Sequence, residues 1–418
     1  MAEKKAWPAT PWCYCIAMLE PGNTQDAEGS SQTNRAEDLG LKGRGVGAQP
    51  AAGLGDEAGS RQDTQADFAQ LDTLHYANQR PELSAALKQH CTDFRVDEEL
   101  GFAPSGSGEH LLLRIRKTDM STTEVARRLA AIAHTRLGNI GYCGMKDKRA
   151  VCSQWFSIPL AIADEKLLSK LEDPAVEILE IQRNNRKLKT GSHKANHFEI
   201  LLRHCRGPQS RFDDGLELLR TVGVPNYFGP QRFGRDQSNL SQARHLFESN
   251  CRSGAKGPGR HRRGMLFSAV RAYLFNQVLS QRLEQGNWNH YVDGDVVNLD
   301  GTNRYFLVDV GSWDESLQQR LLDFDIHLSG PLPGAMDAKD KYLSRGKTAD
   351  IEEAVLLQCP ALLDGLVRFG LKAARRPLRF RPGQLRGSWL EPASLQLKFT
   401  LPRGAYATSL LRELCVTD

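Results

Sequence analysis

The 418-residue chain has no apolar run approaching the roughly 20 residues that a membrane-spanning helix needs. Its first residues lack the charged-then-apolar layout of a signal peptide. Nine cysteines, at positions 13, 15, 91, 143, 152, 205, 251, 359 and 415, include no CxxC pair. Such an odd, scattered set reads as reduced thiols and not as a disulfide framework, and Cys13-x-Cys15 has no companion cluster to make a metal site. These absences lead to the expectation of a cytoplasmic protein without a metal. No internal repeat is visible. Residues 21–66 have nine glycines and no aromatic residue. A segment of that kind cannot bury enough apolar surface to order itself. Residues 1–67 are therefore expected to be a disordered, low-complexity extension, or one set by the choice of start codon.

What is present suffices for two or three domains with real cores, at 40% hydrophobic and 25% charged residues. The charge is unevenly spread. Residues 1–67 hold six Lys/Arg against ten Asp/Glu, and the remainder holds 49 against 40. A body with that positive excess fits a polyanionic partner, although solubility alone would also account for it.

One stretch organises the rest: IGYCGMKDKRAVCSQWFSI, residues 140–158. Apolar segments flank a single carboxylate, Asp147, set among Lys146, Lys148 and Arg149. The pattern predicts strand, short loop, strand, with Asp147 at the loop tip. Nearby cations favour the charged form of a carboxylate, which suits a nucleophile or general base. They would also draw in a polyanion. A Lys-Asp-Lys tripeptide by itself is as well read as a solvated hairpin tip.

Other segments take their places around it. FRVDEEL and LLLRIRK alternate as two strands joined by a Gly/Ser/Pro turn. Ser121 to His134 predicts an amphipathic helix with Ser121 as N-cap and Glu124 completing a capping box. The loop holding Arg183, Arg186, Lys187, Lys189, His193 and Lys194 lies between two strands and is a candidate for phosphate contact. In PNYFGPQRFGRDQSNLSQA, Tyr227, Phe228 and Phe233 interleave with Arg232 and Arg235. They either stack on bases and grip phosphates or form core beneath a glycine-rich turn. GAKGPGRHRRG, residues 254–264, predicts a mobile basic loop, and DVVNLDGTNRYFLVD a hairpin around Asp300-Gly301. The texture from about 222 to 370 differs from its surroundings and reads as a second α+β domain. After it, SLQLKFTL returns to strand, and LPRGAYATSLLREL ends in a helix.

Seven of these motifs together carry a resemblance: DFRVDEELGF, GEHLLLRI, GMKDKRAVCSQWF, RKLKTGSHKANHF, PNYFGPQRFGRDQSNL, VRAYLFNQVLSQR and LPRGAYATSLLREL. Taken in order across roughly residues 68–418, they resemble the TruD-type tRNA pseudouridine synthases. The resemblance implies an α+β fold. A pseudouridine-synthase catalytic domain with a mixed or antiparallel sheet (68–221 and 371–418) would be interrupted by a TruD-specific insertion (222–370). It implies isomerisation of uridine to pseudouridine in tRNA, at U13 in the D-arm region, without cofactor or metal. No protein partner is evident, and a monomer is expected.

By the same resemblance Asp147 is the catalytic aspartate and Phe198, in Asn196-His197-Phe198, the ring that stacks on a flipped uracil. Asn196 would hold the catalytic loop, Phe94 would add a second aromatic to the pocket, and Lys88 would lie beside Asp147. Lys146, Lys148, Arg149, Arg186, Lys187, Lys189, Arg232 and Arg235 are expected to contact RNA. Cys152 stands where the resemblance leads one to expect Thr. A reading of another class is a tRNA-binding folding chaperone with incidental catalysis, in which Asp147→Ala would keep all cellular function.

Overall fold

Alternating apolar residues build the largest sheet in the computed structural model, which describes residues 68, 73–159, 162–171, 173–249, 258–336, 343–391 and 393–417. The extension of residues 1–67 lies outside the described residues. In chain order the large sheet takes β1 (Phe94–Leu100), β2 (His110–Thr118), β3 (Val151–Pro159), β4 (Val176–Asn184) and β5 (His193–Arg206). A smaller sheet follows, with β6 (Val296–Leu299), β7 (Tyr305–Leu307), β8 (Ile326–Leu332) and β9 (Ala374–Pro377). The chain then returns to the first sheet with β10 (Gly383–Glu391) and β11 (Ser394–Pro402).

The large sheet runs β10-β11-β5-β1-β3-β2-β4. Its neighbours are antiparallel except β1 and β3, which are parallel. This is the mixed sheet of an α+β fold. The two strands expected to follow each other across a turn, β1 and β2, do not pair, because β3 lies between them. Strand β2 makes that parallel return by running back antiparallel to β3, and helix α1 (Thr122–Ile132) lies in the connection from β2 to β3. Ser121 caps it as predicted, its Oγ accepting from the Glu124 amide at 3.2 Å. The Glu124 carboxylate turns to Arg128 at 3.4 Å.

Helix α2 (Gln209–Val222) follows β5, α3 (Ser238–Glu248) and α4 (Arg260–Glu284) precede the small sheet, and α5 (Glu315–Leu322) lies within it. Then come α6 (Gly346–Leu356) and α7 (Pro360–Arg368), and α8 (Ala407–Leu414) is the last helix. Arg260–Gly264, expected in a mobile loop, form the first turn of α4 instead, ahead of the buried face that begins at Leu266. The small sheet runs β7-β6-β8-β9, with the predicted hairpin turning at Gly301 (φ +66°).

Strand periodicity sorts side chains by face. Directly paired residues put Phe94 beside Ile200, Val96 beside Phe198, Glu98 beside Asn196 and Phe399 beside Phe198. On the far side of β3 the pairs Lys117–Cys152 and Ile115–Gln154 share the same face. Phe94, Val96, Cys152, Ile200, Leu397 and Phe399 belong to one buried cluster that α2 and α8 help to close.

Just before β1, Asp93 is buried, and its carboxylate accepts from Arg203 at 2.9 and 3.0 Å and from the His90 amide at 2.9 Å. Burial alone would raise its pKa, but the hydrogen bonds and charges of Arg203 and His90 bring it below the ordinary carboxylate value. A depressed carboxylate contributes stability that is present above its unfolded pKa, about 3.9, and is lost as pH falls through the folded value. Asp93→Asn is therefore expected to lower the thermal midpoint at pH 7. The gap from wild type should close as pH falls below about 4. A gap that stays constant from pH 7 to pH 3 would show that Asp93 stabilises by packing alone.

Candidate active site

Asp147 lies in a loop between the short strand Gly141–Tyr142 and β3, and that short strand pairs antiparallel with Ser157 and Phe156. The strand, loop, strand pattern is thus present. Gly141 is required by close approach. A Cβ there would stand 2.5 Å from the Leu188 carbonyl oxygen and 2.3 Å from Ser157 Oγ.

The Asp147 side chain is 54% exposed, and Lys88 Nζ donates to its Oδ2 at 2.8 Å. The same ammonium sits 4.0 Å from the centroid of the Phe94 ring. Lys88 reaches this position from a left-handed backbone, φ +57°, which a lysine rarely adopts and which tertiary contacts must hold. Phe94 meets Phe198 edge-to-face at 6.0 Å, and Phe198 stacks on Phe399 at 5.1 Å. Asp147, Lys88, Phe94 and Phe198 thus form one continuous line of contacts. Phe94 is 4% exposed, so of the two rings only the half-buried Phe198 has surface to offer a base.

The loop is anchored from beneath by buried polar groups. Lys117 Nζ donates to the Asp147 carbonyl oxygen at 2.8 Å. Thr122 Oγ1 accepts from the Lys146 amide at 2.9 Å and meets Gln154 Oε1 at 3.0 Å. Gln154 Nε2 donates to the Gly144 carbonyl oxygen at 2.5 Å. Glu98, whose Oε1 also accepts from the Trp155 amide at 3.1 Å, binds the Lys146 ammonium through Oε2. Beside this pair, burial pushes the Cys143 thiol up to about 12 and lowers the pKa of His193.

Two expectations need correction. Lys146 is not presented to a polyanion: its side chain is 7% exposed and its charge is taken up by the fully buried Glu98 carboxylate. Asn196 makes no side-chain hydrogen bond to the loop among the described residues, and its Oδ1 is buried without a partner. It stands across from Glu98, so the anchoring falls to Glu98, Thr122, Gln154 and Lys117. None of these four was singled out from sequence. A signal was there, since Lys117 continues the inward series Leu111, Leu113, Ile115 along β2.

The other cations divide. Lys148 and Arg149 are exposed, with Arg149 reaching the Gln89 carbonyl oxygen at 3.0 Å. Arg232 is held by the Tyr406 hydroxyl at 2.6 Å, and Arg235 is exposed. Tyr227, Phe228 and Phe233 are buried, which decides in favour of core. Arg186, Lys187 and Lys189 line a cleft of about 1870 Å³, which Arg376 of β9 and Arg379 and Arg381 just beyond it also line. Burial draws Arg379 down to about 10, still protonated at neutral pH. Asp147 does not line this cleft. The cleft adjoins the site through β5, whose residues His193 to Ala195 line it just before Asn196 and Phe198.

Comparison with known proteins bears on this arrangement. The model of the family described as tRNA pseudouridine synthase D (TruD) matches residues 70–256 and 259–414. The tRNA pseudouridine synthase D of Nitrosococcus oceani is 43% identical over 358 residues, covering 85% of this chain and 97% of that protein. That of Methylococcus capsulatus is 41% identical over 326 residues, covering 78% and 89%. The fold is also that of a Methanosarcina mazei crystal structure assigned to tRNA pseudouridine synthase D. That structure has a TM-score of 0.62 and 22% identity, covering 81% of this chain and 95% of that one.

The contrast between neighbouring lysines is testable. Lys146→Ala leaves the buried Glu98 carboxylate unpaired and is expected to cost about 3–5 kcal/mol of stability. Lys148→Ala, two residues on and exposed, should stay within about 0.5 kcal/mol of wild type. Urea unfolding of both variants checks this; a wild-type midpoint for Lys146→Ala would overturn the anchoring role of the pair.

Proposed function

The chain belongs to the TruD family of tRNA pseudouridine synthases, and from that premise we propose that it isomerises uridine to pseudouridine in tRNA, at U13 of the D-arm region. The observation that carries the proposal is the line Asp147, Lys88, Phe94, Phe198, in which an exposed carboxylate stands at one end and the half-buried Phe198 ring at the other. The position U13 rests on the motifs and on them alone.

The chemistry accounts for these residue types. A base must leave the stack before its glycosidic bond can be reached, and a flipped uracil needs an aromatic face, here Phe198. Asp147 then acts on the sugar, as nucleophile at C1′ or as the base that takes the C2′ proton. Either act releases N1 and leaves uracil free to turn. C5 then bonds to C1′ as the Asp147–C1′ bond breaks, or as the C2′ proton is returned on the other route; the C5 proton passes to a base, a role open to Asp147 again, and N1 takes up a proton. The reaction gains and loses no atom, so its balance calls for no co-substrate. Lys88, held between Phe94 and Asp147, keeps the carboxylate pointed in one direction before substrate arrives.

RNA would enter along the basic cleft, which Arg186, Lys187 and Lys189 line together with Arg376, Arg379 and Arg381. Lys148 and Arg149 flank Asp147 and would take phosphates nearer the target nucleotide. Arg235 is exposed for the same purpose. We assign 68–221 and 371–418 to the catalytic domain and about 222–370 to the inserted one; in support, the small sheet draws β6, β7 and β8 from that span and closes with β9 just beyond it. A cytoplasmic monomer is the proposed working form.

Unmodified tRNA transcripts incubated with the protein and mapped for pseudouridine test the reading. Wild type should produce pseudouridine at one D-arm position. Asp147→Ala should lower the rate on the order of 10⁴-fold while still binding tRNA. Tight tRNA binding by both proteins with no isomerisation by either would favour the chaperone reading instead.

A further inference from the structure

Lysine is almost never fully buried unless paired, because an ammonium removed from water costs several kcal/mol. Lys117 is fully buried, at 0% exposure. Among the described residues no carboxylate lies within ion-pair distance of it. Its ammonium donates instead to two main-chain carbonyl oxygens, Met120 at 2.6 Å and Asp147 at 2.8 Å. One belongs to the turn that enters α1 and the other to the loop that enters β3. The second acceptor is the peptide oxygen of the residue whose carboxylate does the proposed chemistry. Fixing that oxygen fixes the peptide plane after Asp147, and with it the base from which the side chain projects.

A second donor points at the same oxygen. Cys152 Sγ lies 3.8 Å from the Asp147 carbonyl oxygen, and Cys152 faces Lys117 directly across β2 and β3. Burial raises the Cys152 pKa, which keeps the thiol protonated and able to donate, though weakly. Thr, the residue expected at 152 from the family resemblance, would bring a hydroxyl to the same place. Two side chains from adjacent strands therefore converge on one carbonyl.

Building on the proposed role of Asp147, we propose that Lys117 is a positioning residue for the isomerisation, whose buried ammonium clamps the Asp147 main-chain carbonyl and so fixes the direction of its carboxylate. A lysine serving only to close the core would affect stability and leave the rate of correctly folded molecules unchanged. A positioning lysine affects the chemical step of folded molecules, since a misplacement of about 1 Å can cost on the order of 10²-fold in rate.

Single-turnover pseudouridine formation on a tRNA transcript separates the two, with tRNA affinity measured alongside. Lys117→Met, of similar length and without a donor, should lower the single-turnover rate on the order of 10²-fold with tRNA Kd unchanged. Adding Cys152→Thr to that variant should restore part of the rate by supplying a hydroxyl donor. In case Lys117→Met does not fold, an α-hydroxy acid at position 148 turns the Asp147–Lys148 amide into an ester. That weakens the carbonyl as an acceptor while keeping every side chain, and a tenfold or greater fall in rate is expected. Wild-type rates for folded Lys117→Met, or for the ester protein, would overturn the proposal while leaving the functional reading intact. Absence of pseudouridine with wild type would overturn both.

Discussion

A carboxylate that must meet a macromolecular substrate has to stand in solvent, yet a solvent-exposed loop tip is where a chain is least constrained. The loop around Asp147 reconciles the two demands through its underside. Gly144, Lys146 and Asp147 each have a main-chain group bound by a buried side chain, from Gln154, Thr122 and Lys117 in turn. Lys146 adds its own ammonium to Glu98. Those partners come from α1, β1, β2 and β3, so the loop is fixed only when all four are assembled. The exposed side of the loop carries the reactive group, and the buried side carries the constraint.

Sheet topology makes that assembly possible. Because β3 is inserted between β1 and β2, the strand leaving the loop has Val96 on one flank and Lys117 on the other. Antiparallel pairing of β1 with β5 then brings Glu98 opposite Asn196 and Val96 opposite Phe198 on the same face. β11 adds Phe399 behind Phe198. Residues as far apart in the chain as Phe198 and Phe399 meet because strands alternate their side chains with a period of two. A slip of one residue in any of these pairs would turn the aromatic rings away from Asp147.

Charge is used in two distinct ways. Glu98 with Lys146, Asp93 with Arg203, Arg282 with Asp295 and Arg375 with Glu352 are ion pairs in which at least one partner is buried, and they serve the fold. The cations of the β4–β5 loop, with those of β9 and the segment after it, line the cleft, where among the described residues the single lining carboxylate, Asp300, is bound by His327 at 2.8 Å. Net charge counts both groups alike, although Arg379 is itself buried against main-chain carbonyl oxygens and only the exposed members of the second group, such as Arg186, Lys189 and Arg381, can meet a polyanion.

The sequence by itself determined the α+β fold, the alternating strands, the Ser121 cap, the Asp300-Gly301 hairpin and the place of Asp147 between two strands. All of these follow from short-range patterns: periodicity, capping and turn chemistry. It also identified the family, since seven motifs in order carry more information than any one of them. What it left open was decided by burial and by register. Tyr227, Phe228 and Phe233 look alike on paper as stacking rings or as core, and their packing makes them core. Lys146 and Lys148 are equivalent as letters, and only the Glu98 carboxylate, 48 residues away, takes one of them out of solvent. Lys117 was hidden for the same reason, because the value of a buried donor lies in the carbonyl it meets, and that carbonyl is 30 residues further along the chain.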